Sequence, residues 1–317
     1  MGGDRIDTSI RFVPPAYKYV GLRVGPKIFY QQRGGGEYDG YRRVGNRIFG
    51  VCDGIRRGEV TMIVTESLTK RYGDVVAVDG LDLRVEKGEV YGFLGPNGAG
   101  KTTTMEMLTT LSTPTAGRAS VAGHSTAERD AIKPQIGYLP DDPPVYDAFS
   151  AREQLEYVAT LRGLDDVSDR IDRLLERVGL AADADRQIDG YSQGMCQKVG
   201  LVQSVLHEPS VLFLDEPTNG LDPRAAREVV DLIADLSVDG TTVFLSTHIL
   251  PVVEELADTV GVLHEGTLVA EGSPAELKAR ATDDGDGSLE QVFLEVTDDG
   301  GYLTDDATRA GVEVDDG

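Results

Sequence analysis

Cysteine is scarce in this 317-residue chain, which holds only Cys52 and Cys196. Two are too few for a disulfide scaffold, so a reduced, cytosolic setting is expected. No apolar run approaches twenty residues, and no signal peptide is recognisable. Any membrane role is therefore expected to fall to a separate partner. Positive charge is also in short supply: 31 Lys and Arg face 54 Asp and Glu, a formal net charge of −23. Such a body repels nucleic-acid backbones, which argues against a general DNA or RNA binder. The acidic excess is diffuse, so it does not point to a cationic substrate. Internal repeats are absent, as are a long coiled coil and a zinc hook. What remains, at 40% apolar content, is enough for one large α/β domain or two smaller ones with a real core.

The charge is unevenly spread. Residues 1–61 hold eleven Lys/Arg and six Asp/Glu, a net of +5, and five of the twelve tyrosines. They include the glycine-rich run Gln31–Glu37 and show weak apolar periodicity. This segment is expected to be disordered, either as a basic arm for an anionic surface or partner or as upstream sequence read through before a natural start at Met62. Residues 62–317 carry twenty Lys/Arg and forty-eight Asp/Glu, a net of −28. That composition resembles the acid-rich surfaces of proteins from salt-loving archaea, where salt screens self-repulsion.

From Met62 the pattern becomes orderly. Val64–Leu68 and Val75–Leu83 read as strands, and Val90–Leu94 as a short apolar strand. Lys101–Leu111 reads as a helix, followed by short strands at Ala119–Val121 and Ile136–Leu139. Residues 151–162 and 166–178 have helical spacing, with Leu155, Val158 and Leu161 on one face. A helix at 195–206 precedes Val211–Leu214, and a helix from Pro223 to Leu236 separates that strand from Thr241–Leu245. Both strands suit a buried parallel sheet. Val260–Leu263 and Thr267–Glu271 suggest a hairpin, and Pro274 opens a short helix. The alternation predicts an α/β domain over 62–282, with an antiparallel β region at its front and a helical insertion at about 141–192. Residues 283–317 read as an acidic tail carrying a short docking helix at 289–296.

Two runs carry chemistry. Gly95-Pro96-Asn97-Gly98-Ala99-Gly100-Lys101-Thr102, with Thr103 after it, fits G-x-x-x-x-G-K-[ST] and follows a strand. Glycines let backbone N–H groups curl toward phosphates, and a helix opening at Lys101 adds its positive end. Lys101 would reach the β- and γ-phosphates, and Thr102 would place its hydroxyl on Mg²⁺. The second run, Val211-Leu-Phe-Leu-Asp215-Glu216, ends a buried strand in two carboxylates. Asp215 suits the metal and Glu216 suits orienting an attacking water. Asp222, in Asn219-Gly-Leu-Asp222-Pro223, caps the next helix or serves catalysis, or both. His248, after the next strand, is placed to donate to the γ-phosphate.

These motifs, in this order, resemble the ATP-binding subunit of ABC transporters over about residues 63–296. The resemblance implies a P-loop NTPase core of the ABC ATPase type. It places Tyr72 on the adenine ring and makes Tyr191-Ser192-Gln193-Gly194-Met195 a variant of the family signature. This form is similar to exporter subunits that pair with a separate ABC-2-type permease. Ser192 and Gly194 would then contact the γ-phosphate of ATP held by a second copy, in a head-to-tail dimer. Asp222 would lie across the dimer interface, and His248 would be the switch histidine. Asp141 stands where the family usually has glutamine, and its shorter side chain suits a sensing role. The implied cofactors are ATP and Mg²⁺, and the implied place is the cytoplasmic face of the cell membrane. The leading expectation is an ATPase powering export, its permease docking beside residues 141–162. The alternatives are a soluble ATPase of translation or DNA repair, which usually carries two nucleotide domains or a coiled-coil or zinc-hook insertion, and a non-hydrolysing regulatory subunit.

Overall fold

The computed structural model describes residues 60–238, 240–281 and 288–298, preceded by the backbone of four short strands. The chain divides into two units, Met1–Glu59 and Val60–Gly317. In the first, β1 (Tyr19–Val24) pairs antiparallel with β2 (Lys27–Gln32), and β3 (Arg42–Val44) with β4 (Arg47–Phe49). Two short hairpins thus occupy part of the segment expected to be disordered. The rest of that segment, and the tail beyond residue 298, lie outside the described residues.

The second unit opens with β5 (Thr61–Tyr72) and β6 (Val75–Glu86), joined through Gly73 at φ +60°. Both strands are longer than the apolar runs suggest, because polar residues alternate outward while Ile63, Leu68, Val78, Leu81, Leu83 and Val85 point in. Next come β7 (Val90–Leu94), α1 (Lys101–Leu108), β8 (Ala116–Val121), β9 (His124–Ser125), α2 (Arg129–Ile132) and β10 (Ile136–Leu139). The insertion holds α3 (Ala151–Arg162) and α4 (Ser168–Arg177), followed by a 3₁₀ turn (Ile188–Gly190) and α5 (Gln193–Val205). The chain continues with β11 (Val211–Asp215), α6 (Pro223–Val238), β12 (Thr242–Thr247), α7 (Leu250–Leu256), β13 (Thr259–His264) and β14 (Thr267–Gly272). It ends with α8 (Pro274–Ala281) and α9 (Leu289–Asp298).

Two sheets result. One has the order β10-β11-β12-β7-β13-β14, parallel except for β14 at its edge. The other is antiparallel, in the order β6-β5-β8-β9. β7, β11 and β12 are buried along their whole length, which is why their central residues are apolar on both faces. Between the sheets, Tyr91 stacks on Phe244 with ring centres 5.3 Å apart, and Phe93 and Phe213 pack on the same ring. Deep burial raises the Tyr91 phenol well above its ordinary range, and its hydroxyl donates to Glu271 at 2.6 Å.

In the insertion, the apolar stripe of α3 is not the face it buries. α3 has a capping box at Ser150 and Glu153, and it stops at Gly163 in the left-handed conformation. Its buried face is Ala151, Gln154, Leu155 and Ala159, whereas Leu161 is 68% exposed. Gln154 is tied inward by hydrogen bonds to Gln203 and to the backbone at Pro144 and Tyr146, which rotates the helix away from the purely apolar stripe. At the other end, α9 docks through Leu289 and Val292 into a cluster with Leu94, Val253, Val260 and Val262. Among the described residues no helix is long and apolar enough to cross a membrane.

Candidate active site

The loop from Gly95 to Gly100 links the end of β7 to the start of α1. Gly98 and Gly100 have φ of +84° and +107°. A Cβ at Gly100 would meet the carbonyl oxygen of Ala77 at 2.3 Å, and one at Gly95 would meet that of Leu263 at 2.5 Å. Glycine is therefore required by neighbouring backbone as well as by dihedral angle. No side chain caps α1, so its first N–H groups face open space.

Lys101 is buried and folds back over the loop, donating to Gly95 O at 2.7 Å and Pro96 O at 3.3 Å. Its ammonium also lies 3.6 Å from Glu216 Oε1. Thr102 Oγ1 donates to Asp215 Oδ2 at 2.9 Å. Asp215 ends β11 and is 2% exposed. Burial pushes its carboxyl above the ordinary range; the Thr102 hydrogen bond and the adjacent Ser246 hydroxyl oppose this, and the nearby Glu216 and Asp141 add to it. Its other oxygen, Oδ1, is buried without a partner, as is the hydroxyl of Ser246, which stands opposite Asp215 in the β11–β12 register.

Glu216 adopts φ +47°, an unusual value for a residue with a side chain. That conformation costs roughly 1–3 kcal/mol, and here the surrounding hydrogen bonds hold it. Its N–H donates to Ser246 O at 2.9 Å, its Oε1 lies 3.0 Å from His248 Nδ1, and its Oε2 accepts the His248 N–H at 3.3 Å. Asp141 Oδ1 accepts from Asn219 Nδ2 at 3.1 Å.

These groups surround a cavity of about 430 Å³. Of the residues expected from the sequence, it brings together Asn97, Gly98, Gly100, Lys101, Thr102, Thr103, Asp141, Asp215, Glu216 and His248. Gly95, Pro96 and Ala99 shape the loop without lining the space. Tyr72, Ser192, Gly194 and Asp222 stand outside it. Tyr72 is half exposed, with Lys70 Nζ 5.0 Å above its ring. Ser192 caps α5 by accepting from Met195 N–H at 3.3 Å. Asp222 caps α6, its Oδ1 accepting from the N–H groups of Arg224 and Ala225 at 2.9 and 3.0 Å. Ala77 and Asn219 also line the cavity, although the sequence reading gave neither a role.

The donor set suits a polyphosphate with a hard divalent cation. The open helix N-terminus and Lys101 favour anionic oxygens, while the Thr102 hydroxyl and the unpartnered Asp215 oxygen favour a cation. Among the described residues, no group of three or more His, Cys, Asp or Glu could hold a metal alone. A cation here would need further oxygens, such as those of phosphate and water.

Comparison with known proteins agrees with this chemistry. The family model for ABC transporters matches residues 78–219. The daunorubicin resistance ATP-binding protein DrrA3 of Streptomyces coeruleorubidus is 44% identical over 227 residues, covering 71% of this chain and 72% of that protein. The bacitracin transport ATP-binding protein BcrA of Enterococcus faecalis is 39% identical over 241 residues, covering 74% and 78% respectively. A solved ATP-binding subunit of an ABC transporter superposes with a TM-score of 0.68 at 29% identity, covering 74% of this chain and 99% of that one. The chain belongs to the ABC transporter family, as an ATP-binding and ATP-hydrolysing subunit that powers transport.

Proposed function

We propose that two copies close head to tail around Mg²⁺–ATP and thereby drive export through a separate permease of the ABC-2 type, at the cytoplasmic face of the membrane. One observation carries the dimer. Ser192 and Gly194 sit at a helix N-terminus outside the cavity that gathers the rest of the machinery. A second copy would bring them to the open side of the phosphates. The Ser192 hydroxyl accepts from its own helix, which leaves its proton free to donate outward.

Within each site, Lys101 would exchange its loop carbonyls for the β- and γ-phosphate oxygens. Thr102 and Asp215 would hold the Mg²⁺, whose charge stabilises the β- and γ-oxygens. Glu216 would orient and deprotonate water for in-line attack, with its strained backbone keeping the carboxylate in place. His248, already 3.0 Å from Glu216, would donate to the γ-phosphate. Asp141 would sense site occupancy through Asn219 and report it to the helical insertion. Tyr72 would stack on adenine, and Asp222 would lie at the subunit interface. The net −28 of residues 62–317 supports a high-salt setting, as in a halophilic archaeon.

Complementation tests the dimer. Ser192→Arg and Lys101→Ala chains should each be inactive alone. Mixed, they can place both defects in one composite site and leave the other intact. Phosphate release in high salt should return on mixing, with maximal recovery near equal amounts. A flat line, with mixed dimers shown to form, would sink the shared site.

A further inference from the structure

We propose a second ligand site, for an organic anion with an apolar body, at the end of the parallel sheet opposite the nucleotide. A cavity of about 730 Å³ opens there, within the size range of small-molecule sites. Its lining includes Ser210 and Thr241, which lead into β11 and β12. The catalytic carboxylate Asp215 stands at the far end of β11. Five residues of strand separate the two cavities by roughly 15 Å.

The charge of this cavity runs against that of the protein. Residues 62–317 carry more than twice as many acids as bases, yet the charged groups lining the cavity are Lys87, Arg170, Arg173 and Arg177 against Glu208 alone. The arginines are spaced i, i+3 and i+7 on α4, which sets them on one face while Ile171 and Leu175 bury the other. Arg170 pairs with Glu208 at 2.7 Å and Arg177 with Asp235 at 3.4 Å. Arg173 has no carboxylate partner among the described residues. Beside it, Leu174, Val205 and Leu236 supply apolar wall.

A guanidinium with open donors selects planar or tetrahedral oxyanions such as carboxylate, sulfonate or phosphate. An inorganic ion would leave the apolar wall hydrated. A ligand joining an anionic head to a hydrocarbon or aromatic body satisfies both halves. Arg173 is the specificity residue for the head.

The probe is 8-anilino-1-naphthalenesulfonate, titrated by fluorescence into the full chain at fixed salt with saturating Mg²⁺–ADP. One saturable site should persist with nucleotide present. Arg173→Glu should weaken it at least tenfold and Arg173→Lys less than threefold, with unchanged melting temperature and ATP turnover. Decanoate should displace the dye at concentrations where inorganic phosphate does not. Displacement by ADP would place the dye in the nucleotide cavity and overturn the site. Wild-type affinity in Arg173→Glu would overturn it too. Equal displacement by phosphate would refute the apolar half of the assignment.

Discussion

The N-termini of α1 and α5 both follow a glycine-containing motif, yet they are capped and surrounded differently. At α1 the cap is Gly100, no side chain satisfies the first N–H groups, and a cavity lies in front of them. At α5 the cap is Ser192, whose hydroxyl already serves Met195, and the residues that follow line no part of that cavity. Both ends carry the positive pole of a helix. The first is surrounded by Lys101, Asp215 and Glu216 from its own chain. The second has exposed polar groups and nothing to act on. A terminus left uncapped among charged partners of its own chain fits one half of a site, whereas one capped by its own serine and exposed fits a contribution to another molecule.

The largest effect expected at the α1 half is on Glu216. Glu216→Gln keeps the shape and the acceptor for the His248 N–H but cannot take a proton. Turnover should fall about 10²–10⁴-fold while ATP still binds. The ATP-bound dimer should also last longer, which gel filtration with ATP and Mg²⁺ would reveal beside a phosphate-release assay. Wild-type turnover would remove Glu216 from the role proposed for it.

Matching glycine substitutions sharpen the contrast. Gly100→Ala forces a Cβ to 2.3 Å from the Ala77 carbonyl at φ +107°. It should cost about 2–4 kcal/mol of stability and abolish nucleotide binding. Gly194 has helical backbone, and its added Cβ would meet Ala225 Cβ at 3.3 Å. There, better helix propensity offsets mild crowding, so stability should change by less than about 1 kcal/mol. Hydrolysis should nevertheless fall if a partner's phosphate needs that backbone. Urea midpoints and turnover for both variants decide the matter; equal destabilisation would erase the distinction between the two termini.

Asp215→Asn separates folding from function at the same place. Burial raises the folded-state pKa of this carboxyl, so its ionised form opposes folding above that pKa. The cost fades as pH falls through the folded value toward the ordinary one near 3.8. Without nucleotide, the asparagine variant should be the more stable protein at pH 8, and the gap should close in acid. With Mg²⁺ and ATP the order should reverse, since only wild type gains a bound metal. Denaturation across pH, with and without Mg²⁺–ATP, measures both. Lower stability of the ligand-free variant at pH 8 would contradict the burial account.

Much of this site is legible in the sequence, because its chemistry is contiguous. Gly95–Thr103 and Asp215–Glu216 are short runs at strand ends, and a parallel sheet brings strand ends together. Ala77 was not legible: its part is played by a backbone carbonyl that comes close only after folding. Asn219 was visible within a quoted run, but its bond to Asp141 joins residues 78 apart. In the fold, β7, β10 and β11 read clearly because every residue is apolar or ends in a motif. α7 was missed since Leu250–Leu256 spans only two turns, too few to show a helical period. Spacing alone could not show that Gln154 takes the inner face of α3 and leaves Leu161 exposed.

Tyr72 should give the smallest effect, and it asks how far the α1 half extends. The residue lies outside the phosphate cavity, half exposed on the hairpin of β5 and β6. Lys70 sits over one face of its ring at 5.0 Å, leaving the other face to stack on a base. Loss of that stacking in Tyr72→Ala should weaken ATP binding by about 1 kcal/mol, or roughly fivefold. Inorganic tripolyphosphate carries the same charge pattern without a base. Its affinity should depend on Lys101 and the loop N–H groups alone, and should not change in Tyr72→Ala. The ratio of the two affinities therefore isolates the base from the phosphates. Loss of both together would mean that the hairpin supports the loop itself, and loss of neither would mean that residues 70–75 do not lie over adenine.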